Sequence, residues 1–138
     1  SPSAIISADG RSVSSTHPDY CYQNNTAVVA KPFPMFGGPH EFKIKITGPE
    51  LGCYDAVGLV TEGFNAEDTQ MGRGDDSWCV QLCYNRLMHG TSRERLDDAS
   101  FNTGEVLTFS LNQRAGVLTM DSPSTGKRDL FTDLPTDV

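Results

Sequence analysis

The sequence predicts an all-β chain folded as an antiparallel sandwich of two sheets. Three observations carry that expectation. Apolar residues recur at every second position in several runs, the period of a strand with one buried face. Clusters of Gly, Pro, Asp and Asn separate these runs. Helical periodicity is nearly absent, and with it the crossover helices of a parallel sheet. Residues 91–99 offer the best helix candidate, but they are polar all round and lack an apolar stripe.

The elements follow in chain order. Residues 11–14 and 27–30 are short strand candidates. Residues 41–47 alternate strictly, with Phe42, Ile44 and Ile46 on one face and lysines on the other. Residues 54–60 read as a buried strand carrying a glycine. Trp78, Val80, Leu82 and Tyr84 form the next alternating set, and Leu107, Phe109 and Leu111 the one after. Residues 112–116 are a turn-rich link of hairpin length, leading to a strand over 117–120. Residues 31–39, 63–77 and 121–127 read as loops.

Composition narrows the function classes. The 138 residues fit one domain with a single core. A net charge of −7 counts against general nucleic-acid binding, because it repels phosphates unless basic groups cluster. No run of about 18 apolar residues is present to span a membrane as a helix. The first ten residues lack the pattern of a secretion signal. Cys79 and Cys83, placed on one strand, stand about 13 Å apart, too far for a mutual disulfide. Reduced cysteines in an intracellular, cytoplasmic protein are therefore expected. The glycosylation triplet beginning at Asn24 carries little weight in that setting.

Catalytic and metal signals are weak. The three histidines are scattered, and no nucleophile elbow, phosphate loop or zinc-protease motif appears. The neighbouring pairs Asp75-Asp76 and Asp97-Asp98 do not make a ready acid/base dyad. The acids between Glu62 and Asp76 do not fit a calcium-loop spacing. No catalytic residue, metal or cofactor is assigned. The tripeptide Arg73-Gly74-Asp75 reads as a chance match to an integrin motif. Arg86, His89, Arg93 and Arg95 form the one concentration of positive charge. They could grip an acidic peptide or phosphate through arginine forks, yet Glu94, Asp97 and Asp98 lie beside them in sequence and local neutralisation is the simpler account.

Two loops are chemically better suited to recognition. Residues 31–38 place Phe33, Met35 and Phe36 among prolines and glycines, beside Lys31. Residues 63–76 are long for a loop and carry Phe64, Glu67, Met71, Arg73 and Asp75. Aromatic and methionine side chains make adaptable apolar contacts, and a rigid sandwich tolerates variation in the loops that display them.

The order of the pieces resembles the SPRY family of β-sandwich interaction domains. Pro39-His40-Glu41-Phe42-Lys43-Ile44 resembles the family's strand opened by a His-x-aromatic step, and Ala56-Val57-Gly58-Leu59-Val60 its Val-Gly-Val strand. The run from Ser77-Trp78 through Asn85-Arg86-Leu87-Met88-His89-Gly90 is similar to its Ser-Trp strand, turn and Leu-x-His step. Gly104 to Leu111, followed by Gly116-Val117-Leu118-Thr119, resembles its hairpin, and Phe131-Thr132-Asp133-Leu134-Pro135 the segment after it. Asn112 stands where the family has Asp, and Thr119-Met120 replaces its Ser-Phe step. The family continues past Leu-Pro into further strands, whereas this sequence stops at Val138, so a module lacking its closing strand or closed by another segment is expected.

The resemblance implies a SPRY or concanavalin-like jelly roll over residues 1–138. It implies a non-enzymatic protein–protein interaction module, with a protein or peptide partner bound by loops 31–39 and 63–76 at one end. In a subgroup that serves ubiquitin ligases as substrate receptors, a tyrosine of the second loop and an arginine of the first hold the peptide. The aligned tyrosine falls near Glu67, and the nearest base in the first loop is Lys31, so a different ligand is implied. The competing reading is a lectin-like carbohydrate binder, which needs an exposed aromatic platform. Trp78, the one tryptophan, is expected in the core. His40 and His89 are expected to pack or hydrogen-bond.

Overall fold

A computed structural model describes residues 4–9, 12–15, 39–47, 55–65, 71–136 and 138. Among these residues there are ten strands and no helix. In chain order they are β1 (Ala4–Ile6), β2 (Val13–Ser15), β3 (His40–Lys45), β4 (Ala56–Val60) and β5 (Ser77–Gln81), then β6 (Arg86–His89), β7 (Ser92–Arg95), β8 (Val106–Asn112), β9 (Val117–Ser122) and β10 (Gly126–Phe131).

Two four-stranded antiparallel sheets make the sandwich. One has the order β10-β9-β8-β3 and the other β4-β5-β6-β7, while β1 and β2 pair as a separate hairpin. In the first sheet, the register sets Phe42 opposite Phe109, and Leu111 opposite Leu118. The Phe42 and Phe109 rings stack with centroids 4.9 Å apart. In the second sheet, Val57 faces Val80 and Val80 faces Leu87. Side chains opposite one another on antiparallel strands share a face, so each row delivers its apolar groups to one side. The rows of both sheets enter one apolar cluster that includes Trp78, Val80, Leu87, Leu107, Phe109, Leu111, Leu118 and Met120. Burial of each large member contributes on the order of 1.5–3 kcal/mol against leaving it exposed.

Strands form within the alternating runs at 41–47, 107–111 and 117–120 and within the run at 54–60 expected to be a buried strand. The hairpin link also behaves as expected, with the Asn112 side-chain oxygen accepting from the Ala115 amide at 3.1 Å to shape the turn. The antiparallel two-sheet sandwich is thus what the structure shows.

Several local expectations are corrected. Residues 91–99 supply no helix: β7 occupies Ser92–Arg95 and pairs with β6 over four positions. A strand needs no apolar stripe when its side chains stand in solvent, and all of β7 is exposed. Tyr84 does not join the buried set of Trp78, Val80 and Leu82; it is 47% exposed. The strand ends at Gln81, and Asn85 in the left-handed region (φ 49°) turns the chain back before the alternation reaches Tyr84. Ile44 sits 36% exposed because β3 lies at the end of its sheet's strand order. The expected loop over 121–127 shrinks to a short turn, since β9 and β10 extend into it from both sides. Strands β1, β6 and β10 had no periodic signature. In β10 a register shift between Asp129 and Phe131 breaks the period, which hides Leu130 from a pattern search. The strand candidate at 27–30 lies outside the described residues, as do Cys21 and Cys53.

Candidate functional site

Strand β5 lies beneath the described part of the candidate loop 63–76. All five of its residues are buried, although alternation gives it two faces. Trp78 and Val80 point into the core cluster, whereas Ser77, Cys79 and Gln81 belong to the opposite face. The chain covers that outer face with its own residues 71–76. A side chain on Gly72 would come within 2.6 Å of Cys79 Sγ and 2.7 Å of Met88 Cβ, so this segment lies directly on the sheet. Gly72 also has φ +81°, a region that a residue with a Cβ enters at a cost.

Backbone bonds hold the covering loop at its base. The Thr61 amide donates to the Asp76 carbonyl at 2.9 Å, and the Gly90 amide to the Gly74 carbonyl at 3.2 Å. Ser77 Oγ accepts from the Gly72 amide at 2.9 Å. Arg93 Nη1 donates to the carbonyls of Gly72 at 3.3 Å and Gly90 at 3.0 Å, reaching across from β7. Burial pushes the Cys79 thiol beneath this loop up from 9.0 to about 11, against a smaller downward pull from the Arg93 charge. Asp76 Oδ1 is enclosed and finds no hydrogen-bond partner among the described residues.

The sequence-derived recognition residues fall into two groups. Lys31, Phe33, Met35, Phe36 and Glu67 lie outside the described residues. Phe64 and Met71 are half-buried, and Arg73 and Asp75 are exposed. Phe64 opens its side of the loop through a turn in which its amide donates to the Thr61 carbonyl at 3.1 Å. Arg73 and Asp75 stand on the short segment pinned over β5, at the end where that strand begins. The sequence reading missed Ser77 and Arg93 as the residues that hold this loop. Neither has a signal in linear sequence, because their partners are backbone atoms brought close only by folding.

Trp78 is 8% exposed and stacks on His89 with ring centroids 4.4 Å apart. His89 Nδ1 lies 3.0 Å from the Ser77 carbonyl oxygen. Both residues therefore play the packing and hydrogen-bonding roles expected of them. Among the described residues, no three His, Cys, Asp or Glu side chains gather in a way that could hold a metal ion.

The other end of β5 is built differently. Residues 82–85 turn the chain into β6, with the Asn85 amide donating to Leu82 at 3.3 Å and its carbonyl accepting from Leu96 at 2.7 Å. Cys83, Tyr84, Asn85, Arg86, Arg93 and Arg95 line an open depression of about 400 Å³ on the outer side of this sheet. The Arg86 guanidinium lies over the Tyr84 ring, 4.7 Å from its centroid, and its Nε donates to Gln81 Oε1 at 2.7 Å.

No family model matches the sequence, and no curated protein matches it. Solved structures do match in three dimensions. The SPRY domain of human HERC1 superposes with TM-score 0.59 at 19% identity, over 72% of this chain and 62% of that one. The TRIM65 PSpry domain gives TM-score 0.68 at 18% identity, over 97% of this chain and 74% of that one. Stonustoxin gives TM-score 0.70 at 18% identity, over 99% of this chain but only 22% of its own length. The chain thus spans less than two thirds of both the HERC1 domain and the toxin. At such identities the likeness concerns the fold, and the fold is of the SPRY type.

Proposed function

We propose that this SPRY-type sandwich is a non-enzymatic protein–protein interaction module that grips its partner with the loop 63–76 and the preceding loop 31–39. The observation that carries the reading is the loop segment over β5. Hydrogen bonds to its main chain fix it, yet it presents Arg73 and Asp75 to solvent, and Phe64 and Met71 are half-buried. A pinned loop loses little entropy on binding, and partly exposed apolar groups flanked by opposite charges give both contact area and selectivity. Service to a ubiquitin ligase as a substrate receptor belongs to the same proposal and rests on resemblance alone. The carbohydrate-binding alternative gains no support, because Trp78 is enclosed in the core and offers no platform.

Proximity labelling with the wild-type chain and a Phe64→Ala/Arg73→Ala variant tests the proposal. The expected result is a set of neighbours lost from the variant while its thermal unfolding transition is kept. Loss of the transition would assign these side chains to the core. An unchanged set of neighbours would remove the loop from the binding surface.

A further inference from the structure

The arginine-lined depression is centred beyond the end of β5 and adjoins the loop just described through Arg93, which also donates to the Gly72 carbonyl. Ser77 and Gln81, at the two ends of β5, are about 13 Å apart at ~3.3 Å per residue. Three features mark the depression as more than a solvated face. First, Arg86 and Arg95 are directly opposite one another in the β6–β7 register. Like charges in that position repel and destabilise the pairing, unless an anion lies between them. Second, strand alternation removes the compensation that the linear sequence suggests. Glu94 lies between Arg93 and Arg95 on β7 and so points to the other face. Among the described residues, Asp97 alone makes an ion pair with the cluster, at 3.6 Å from Arg95, with both side chains well exposed and the pair weak. Third, the site is pre-arranged. Tyr84 and Gln81 fix the Arg86 guanidinium through a ring face and a single Nε bond, which leaves the two Nη groups to serve a ligand. Arg93 is tied to backbone carbonyls and contributes charge from a fixed position.

We propose that this depression binds an acidic peptide segment, with neighbouring carboxylates held by the Arg86 and Arg95 guanidinium forks. Planar guanidinium groups match carboxylates through paired hydrogen bonds, and Tyr84 supplies an apolar wall for the peptide backbone. The occupant is a peptide rather than a nucleic acid for two reasons. A volume of about 400 Å³ takes a few side chains, not a run of phosphates. A chain of net charge −7 attracts anions at this patch but repels an extended polyanion elsewhere.

Fluorescence anisotropy with a fluorescein-labelled peptide of alternating Asp and Glu, its Asn/Gln counterpart and a labelled oligothymidine tests the proposal. The acidic peptide should bind saturably and weaken with added salt, while the amide counterpart should not bind. Arg95→Gln, at an exposed position, should weaken binding about tenfold without changing the thermal transition, and Arg86→Gln at least as much. Arg95→Lys should recover only part of the loss, since a point charge cannot form the fork. The Phe64→Ala/Arg73→Ala variant should bind the acidic peptide normally, which separates failure of this site from failure of the loop reading. Equal binding of the amide peptide, wild-type affinity in both glutamine variants, or tighter binding of the oligothymidine would each overturn the proposal.

Discussion

The two ends of β5 solve the same problem by opposite means. Where the strand begins, the loop 71–76 is held by its own main chain: Gly72 lies against Cys79 and Met88, the amides of Thr61, Gly72 and Gly90 each find a partner, and Ser77 Oγ and Arg93 bind Gly72. Where it ends, side chains define the surface, with Arg86 set by Tyr84 and Gln81 above a tight turn. The first end is specified by what cannot be there, since any Cβ at Gly72 collides. The second is specified by charge and ring geometry at the surface, outside the core cluster. Substitution of Gly72 should therefore act on folding, and substitutions of Arg86 and Arg95 on binding.

The sharpest way to break that contrast begins beneath the loop, in the sheet itself. Gly58 pairs with Cys79, and a Cβ there would sit 1.9 Å from the Trp78 carbonyl oxygen. Backbone cannot move aside as a side chain can, so Gly58→Ala should cost about 3 kcal/mol or more, read as a lower urea midpoint. Gly72→Ala should cost less, roughly 2–3 kcal/mol, because it combines a disfavoured φ with contacts to side chains that have some freedom to shift. If Gly72→Ala were neutral, the loop would not be pinned as described, and the difference between the two ends would vanish.

A smaller effect should appear with pH. The folded Cys79 thiol titrates near 11, against 9.0 for an unperturbed one, because burial disfavours the thiolate. The unfolded chain therefore releases this proton first as pH rises. Stability from this group is fully present below about pH 9 and is lost as pH climbs through the folded value near 11. Urea unfolding of the wild-type chain and Cys79→Ser between pH 8 and 11 should show a falling midpoint that the variant lacks in part.

Legibility in the sequence followed burial. The runs around Phe42, Trp78, Phe109 and Leu118 face one core on one side only, so their period of two survives in the sequence. Strand β7 was invisible because every side chain in it meets solvent, and its polar run admits a helix as readily as a strand. Strand β10 was hidden by its register shift. At the candidate loop, sequence pointed to Phe64, Met71, Arg73 and Asp75 by their residue types. It also noted the arginines and offset them with Glu94, Asp97 and Asp98; Asp97 does pair with Arg95, whereas the strand turns Glu94 to the opposite face.

The sequence by itself determined the architecture: alternating apolar residues must bury one face, and turn clusters must reverse the chain between them. It also determined the order of motifs that matches an SPRY-type sandwich. Tertiary structure alone decided which polar residues cooperate. Arg86 meets Arg95 through strand register, Arg93 reaches Gly72 across 21 positions of chain, and Gly72 closes over Cys79 through a loop. Hydrophobic burial is non-directional and leaves its trace in local periodicity. Hydrogen bonds and charge pairs are directional and non-local, so their partners are set only when the sheets have formed.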